Sequence, residues 1–331
     1  MALRRTARTD QLLFLTVALV VLLGALLAGV AVGARSVAPA EVWRALFDYA
    51  GTDDHVVVRD LRLPRTVFGV CVGAALGVSG ALIQTVSRNP LAEPALLGLT
   101  AGAGFAINVG VLAGLAGTQL GQLGLAVVGC AVASVIVYAV GRTSPLRLLL
   151  AGVALTAVLM GISLGLRLTF PDVFDRYRFW SVGALAGSER IPLTVPVVVV
   201  ALSLAGALLM SRPLSTLALG EDVARGLGAH VGRTRAVVLL LVTVLAGTAT
   251  AVAGPVAFVG LIVPHLARRI AADSVPWLLV HSLVVGAVLL VVADVGARLL
   301  LPTGEVPVAV VTAFLGGPVL IWAVRTFEAA S

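Results

Sequence analysis

Eight stretches of this 331-residue chain run for 19 residues or more without a charged side chain. Asp10 and Arg35 enclose 24 uncharged residues, Arg65 and Arg88 enclose 22, Glu93 and Arg142 enclose 48, and Arg147 and Arg167 enclose 19. Farther on, Arg190 and Arg212 bound 21, Arg235 and Arg268 bound 32, Asp273 and Asp294 bound 20, and Glu305 and Arg325 bound 19. Hydrocarbon strongly disfavours a charge, and a helix needs about 20 apolar residues to cross it. The 48-residue run therefore makes two helices, with a hairpin near Gly114–Gly124 where glycine and glutamine cluster. The 32-residue run, broken at Gly254 and Pro255, reads as a full span followed by a shorter one. The expectation is an all-α polytopic membrane protein with ten transmembrane helices in one domain, residues 1–331. Composition excludes a water-soluble globule: 60% of residues are hydrophobic and 12% charged, against about 45–50% and 25% in soluble domains.

All 23 basic residues are arginine, and lysine is absent. A P-loop needs a lysine to reach the nucleotide phosphates, and Schiff-base chemistry needs one as nucleophile. The chain therefore carries no Walker site of its own. The basic balance does not point to nucleic acid, because aliphatic runs this long leave no soluble basic face. Cys71 and Cys130 lie inside apolar runs, where thiols act as small hydrophobes. His55, His230, His265 and His281 share no metal-ligand spacing, so no metal site is expected. Neither paired carboxylates nor a Ser/His/Asp pattern marks a catalytic residue, which argues against a membrane-embedded enzyme. Ion-coupled carriers use titratable relays within the membrane. Here only Asp294, His265 and His281 approach that depth, and all three can lie near helix ends.

Arg4, Arg5 and Arg8 ahead of an apolar run resemble a signal peptide. The run is longer than a signal core and lacks a convincing cleavage site, so a retained first helix is expected. Ten spans put both termini on one side. With that side cytoplasmic, 13 arginines and six acids fall inside and ten of each outside, placing the whole net charge of +7 within. The second span carries Gly69, Gly73, Gly77 and Ala81 at intervals of four, and the third carries Gly98, Gly102 and Gly104. Such spacing lets helix backbones approach closely in lipid.

Two loops stand apart. Residues 212–235, RPLSTLALGEDVARGLGAHVGRTR, read as two short helices on the cytoplasmic side, with Ala224, Leu227 and Ala229 as the face that could enter a partner's cleft. An ordinary amphipathic connector is the other reading. Residues 169–190 form an extracytoplasmic segment in which RFWSVGALAGSER (178–190) is expected as a surface helix, with Trp180 as an interfacial anchor in the simpler account.

Several blocks then fall in a specific order: LRLPRT (61–66), NPLAEPALLGLTAGA (89–103), LLLAGVAL (148–155), FWSVGALAG (179–187), LGEDVARGLGAHV (219–231), GPVAFVGLIVPHLAR (254–268), ADVGARL (293–299) and EVPVAVVTAFLGGPVLIW (305–322). In this order they resemble the FecCD-type permeases, the membrane subunits of ABC importers for iron–siderophore complexes, haem and vitamin B12. The resemblance implies the fold of the vitamin B12 permease, a type II ABC importer. It also implies a homo- or heterodimer around a central path in a bacterial inner membrane, cytoplasmic ATPase subunits that use the ATP, and an extracytoplasmic substrate-binding protein. No cofactor would be bound directly. The coupling segment that meets the ATPase would comprise Leu219, Gly220, Glu221, Asp222, Ala224, Arg225 and Gly228. Arg62, Arg65 and Arg298 match arginines that pair with glutamates of the binding protein in the vitamin B12 member; the alternative is that they snorkel to lipid headgroups. Asn89 and Leu91 match residues that narrow the cytoplasmic end of the path. FWSVGALAG is closer to the siderophore branch, so ferric siderophores are the expected cargo, with vitamin B12 or haem as the same-family alternative and an ion-coupled carrier as the alternative of another class.

Overall fold

The computed structural model describes residues 2–33, 37–141, 144–271, 274–301 and 304–328; Arg35, Arg142 and Asp273, counted in the charge balance, lie outside them. In chain order the helices are α1 (Ala2–Ala31), α2 (Pro39–Phe47), α3 (Asp53–Val56), α4 (Leu63–Ser87), α5 (Leu99–Leu112), α6 (Gln119–Gly141), α7 (Pro145–Thr169) and α8 (Pro171–Ser181). They continue as α9 (Thr194–Leu209), α10 (Ser211–Ala218), α11 (Glu221–Gly226), α12 (Val231–Ala253), α13 (Val259–Ala271), α14 (Val275–Leu299) and α15 (Val308–Glu328). Among the described residues there is no β-strand.

Among the described residues the expected apolar runs are helical, but fewer than ten of the helices are long enough to span. Six are long and apolar enough to cross a membrane (α1, α4 with the turns leading into it, α6, α7, α12 and α14), and α9 with α10 makes a seventh span bent by 50°. Helix α5 has 14 residues and α13 has 13. At about 1.5 Å per residue each covers roughly 20 Å of a hydrocarbon core about 30 Å thick. Both are preceded by non-helical chain, residues 88–98 with one 3-10 turn and residues 254–258. Backbone of that kind is tolerated at membrane depth only where protein surrounds it.

Helices α4, α12 and α14 form the inside of the bundle: 83%, 72% and 61% of their apolar windows are buried, against 17–28% for α1, α6 and α7. The glycine stripe of α4 explains how it can sit there. A Cβ on Gly73 would lie 2.2 Å from the Gly286 carbonyl oxygen of α14, and one on Gly77 would lie 2.4 Å from the Ser282 oxygen. One residue off that stripe, a Cβ on Gly80 would meet the Gly260 oxygen of α13 at 1.9 Å. Gly102 of α5 and Gly129 of α6 oppose each other in the same way. Gly80→Ala is therefore expected to lower stability by about 1–3 kcal/mol through overpacking. Gly161→Ala on α7, with nothing within 4 Å, should be close to neutral. Thermal melts of the detergent-purified variants read the difference.

The structure corrects the expectation for the outer surface helix. The surface helix covers Pro171–Ser181, not residues 178–190. After Ser181 the chain turns through Gly183 and Gly187 at φ +70° and +88°, and a Cβ on Gly183 would sit 2.3 Å from the Pro255 oxygen. Trp180 is partly buried against the main core and stacks near Tyr177, with ring centroids 5.7 Å apart, so it is a packing residue rather than an interfacial anchor.

Candidate functional site

The α10/α11 end of the bundle carries the expected coupling segment. Helix α10 buries Ser211, Leu214 and Leu217, spaced by three, against the bundle. Gly220 (φ +117°) turns the chain from α10 into α11 and Gly228 (φ +79°) turns it onward towards α12, both in the region that favours glycine. The result is an elbow that stands off the membrane helices. Its presented face differs from the expected one. Ala224 is fully buried, while Leu219, Val223 and Leu227, spaced by four, are 65%, 51% and 66% exposed. Three large aliphatic side chains on a helical elbow outside the apolar spans make a stripe suited to a partner's cleft.

Glu221 ties this elbow to the core. Its Oε1 accepts a very short hydrogen bond from Nη2 of Arg235, a buried residue in the second turn of α12. Its Oε2 accepts from Arg225 at 3.1 Å, and Arg225 also reaches Asp222 at 3.3 Å. Asp222 is exposed and bonds only within the elbow. Arg88 closes α4 in a left-handed conformation, with its guanidinium beside Gly220.

The two irregular links meet inside the bundle. In the first, Asn89 Oδ1 accepts from Leu91 N at 2.9 Å, forming a tight turn that leaves Leu91 47% exposed at a cleft shared with Ile262, His265 and Val319. Glu93 then reaches the second link: its Oε1 accepts from Phe258 N at 2.9 Å. Phe258 has φ +70°, a strained value for a bulky residue, and it stands immediately before α13, whose positive end favours a carboxylate. On α13, Pro264 has no N–H for the Gly260 carbonyl four residues earlier. Gln84 of α4 supplies the missing donor, its Nε2 reaching Gly260 O at 3.3 Å and Leu261 O at 3.4 Å while its Oε1 accepts from Arg268 at 3.1 Å. Glu93→Ala would leave the Phe258 amide unpaired, a cost of about 1–3 kcal/mol; Glu93→Gln keeps an acceptor and should lose less than half of that. Paired melts of the two variants test it.

At the α2/α8 end, Arg62, Arg65 and Arg298 converge as the sequence motifs implied, but they are largely buried and engaged within the chain. Asp294 lies between two of them. Arg65 Nε reaches both its oxygens at 3.1 Å and Arg65 Nη2 reaches Oδ1 at 2.8 Å. Arg298, one turn along α14, donates to Oδ2 from Nε at 3.0 Å and from Nη2 at shorter range. Arg65 Nη1 continues to Glu305 at 2.6 Å. The remaining donors cap the end of α1: Arg298 Nη1 bonds Gly29 O at 2.8 Å and Arg62 Nη1 bonds Ala31 O at 2.6 Å. Those carbonyls have no partner in their own helix. The network borders an open cavity of about 360 Å³, with Glu189 and Glu305 at its edge.

Four functional candidates were unmarked in the sequence: Gln84, Glu93, Arg235 and Val223. A proline four residues after Gly260 and an uncharged polar residue within an apolar run were the available signals for Gln84. Glu93 reads in sequence as one more loop charge, and Arg235 as one more basic residue at a helix start.

The geometry thus sets two short helices with irregular leads inside the bundle and a helical elbow outside the apolar spans. Comparison with known proteins identifies the type. Residues 19–326 match the FecCD transport family. The chain belongs to that family. Among FecCD relatives, it is 46% identical over 300 residues to the ferric enterobactin transport system permease protein FepD of Escherichia coli, covering 89% of each chain. It is 37% identical to the iron(3+)-hydroxamate import system permease protein FhuB of Bacillus subtilis, covering 92% of this chain and 80% of that one. It is 36% identical to the vitamin B12 import system permease protein BtuC of Salmonella paratyphi A, covering 96% of each. An inward-facing metal-chelate type ABC transporter superposes with a TM-score of 0.84 at 27% identity, over 95% of this chain and 99% of that one. The FecCD membership makes this a multi-pass membrane protein with the permease fold.

Proposed function

We propose that the chain is the permease subunit of an ATP-driven importer that carries ferric siderophores into the cytoplasm. The 46% identity to the ferric enterobactin permease along nearly the whole chain carries this reading. The lysine-free sequence supports a separate motor, since ATP must then be hydrolysed on partner ATPase subunits. In this reading both termini and the α10/α11 elbow are cytoplasmic, and Leu219, Val223 and Leu227 enter a cleft on the ATPase. Gly220 and Gly228 allow the elbow's turns, and Asp222 and Arg225 lie on its rim. Glu221 works inward, passing elbow displacement through Arg235 to α12 and the core. A second permease copy, the same or related, completes the path; Asn89 and Leu91 with α13 narrow its cytoplasmic end. ATP closing the ATPase pair favours one arrangement of these helices over the other because each makes different contacts with the elbow.

At the other face, an extracytoplasmic binding protein delivers cargo. Arg65, at the cavity edge with Glu305, is the docking arginine best placed to meet an acidic partner, while Arg62 and Arg298 hold the scaffold behind it. Vitamin B12 import is the second reading, favoured by the 36% identity to that permease over 96% of both chains. The deciding experiment is reconstitution with ATPase and binding protein in liposomes. ATP-dependent uptake of radiolabelled ferric chelates, without uptake of cobalamin or haem, is expected. Cobalamin or haem uptake alone would shift the assignment, and uptake driven by a proton gradient without ATPase would overturn it.

A further inference from the structure

We propose that the chain binds the headgroup of an anionic phospholipid of the inner leaflet in a cavity between α10, the link after α11 and the start of α12. The cavity holds about 630 Å³ and is lined by Arg212, Thr216, His230, Arg233, Thr234 and Val237 among others, with no acidic residue in its wall. A volume of that size is usual for small-molecule sites.

The local charge pattern singles it out. The elbow's two acids, Glu221 and Asp222, are taken by Arg225 and Arg235. Arg212 and Arg233 meet no carboxylate among the described residues, so two unneutralised cations share this cavity. They stand beside the first turn of the 23-residue α12, which has no side-chain cap and no acid in that turn, so its positive end adds to the same field. The Thr234 hydroxyl adds a neutral donor to this wall, while that of Thr216 is donated within α10 to Arg212 O at 3.3 Å.

The surroundings select lipid over a soluble anion. Leu209, the last residue of α9, and Leu240, one turn beyond Val237 on α12, are 80% and 62% exposed. Leu209 stands beside the wall residue Met210 and Leu240 three residues past Val237, so exposed apolar side chains suited to acyl chains border, along the chain, the segments that carry the cations. Deeper in, Gly206 lets Leu241 approach within 3.1 Å of where a Cβ would stand, closing the groove between α9 and α12. Of the elbow, Gly228 at its far turn borders the cavity, but the exposed stripe of Leu219, Val223 and Leu227 is not part of the wall and stays open to the ATPase. The identity of the leaflet rests on the orientation proposed above.

Native mass spectrometry of the full chain, exchanged into mixed phosphatidylglycerol and phosphatidylcholine and then stripped, tests the site. One retained phosphatidylglycerol per chain is expected, preferred over phosphatidylcholine by about thirtyfold, on the basis of roughly one unit of surface attraction per arginine. Arg212→Gln with Arg233→Gln should abolish that preference, whereas Arg176→Gln at the other end should preserve it. Glycerol phosphate in excess should not displace the lipid. Equal retention of both lipids, an unchanged double variant, or displacement by glycerol phosphate would overturn the proposal. So would a double variant that keeps its lipid but loses ATPase association, which would assign the two arginines to that partner. Labelling a cysteine introduced at position 219 in intact cells checks orientation separately, because lipid retention in detergent does not depend on it.

Discussion

Asp294→Ala is expected to be the most damaging single substitution, lowering stability by about 3–5 kcal/mol. The carboxylate and the Arg298 side chain are each 3% exposed and Arg65 is 11% exposed. Removing the acid leaves the buried Arg298 guanidinium without a carboxylate, facing an Arg65 that keeps only Glu305. Helix α4 loses its tie to α14, and the arginine that caps the end of α1 loses the partner that aims it. The chain should fail to remain monodisperse in heated detergent, as read by size exclusion with fluorescence detection. Glu305→Gln, which loosens only the partly exposed end of the same network, should cost less than about 1 kcal/mol. If Asp294→Ala melts like the parent, the network does not hold these helices together.

The second large effect is on coupling rather than folding. Glu221→Arg and Arg235→Glu are each expected to reduce substrate moved per ATP hydrolysed by at least about tenfold, the scale of a lost charge pair worth roughly 1.4 kcal/mol or more. Combining them restores an opposite-charge pair across the same contact and should recover much of the loss, because residues in direct contact are not additive. The ratio of uptake to ATPase rate in proteoliposomes is the measurement. A purely structural role would lower both quantities together and leave the ratio unchanged. Failure of the double variant to recover would mean that Glu221 acts on the ATPase surface itself rather than through Arg235.

The residues differ in how far sequence alone exposes them. Uncharged runs reveal helices because the cost of a charge in hydrocarbon is local and large, so α1, α6, α7, α12 and α14 are legible from flanking arginines and acids. The stripe at Gly69, Gly73 and Gly77 marks α4 as a packing helix, but not that Gly80, outside that register, approaches its neighbour α13 more closely than any of those three approach theirs. Motif order placed Arg62, Arg65 and Arg298 at one face and Glu221 in the elbow. It did not show that Asp294 lies between two of those arginines, or that Ala224 turns inward while Val223 turns out.

Sequence by itself determined the membrane class, the long spans, the lack of a nucleotide lysine and the position of the elbow, since each depends on residue type and short-range spacing. Tertiary structure alone decided which helices are inside, why α5 and α13 stop short, and which polar groups complete one another. Gln84 satisfies a carbonyl 176 residues away and Glu93 an amide 165 residues away; Asp294 bonds Arg65 across 229 residues. Pairings at such separations leave no periodic trace in the chain, because what selects them is the desolvation cost of an unpaired group at one point in space.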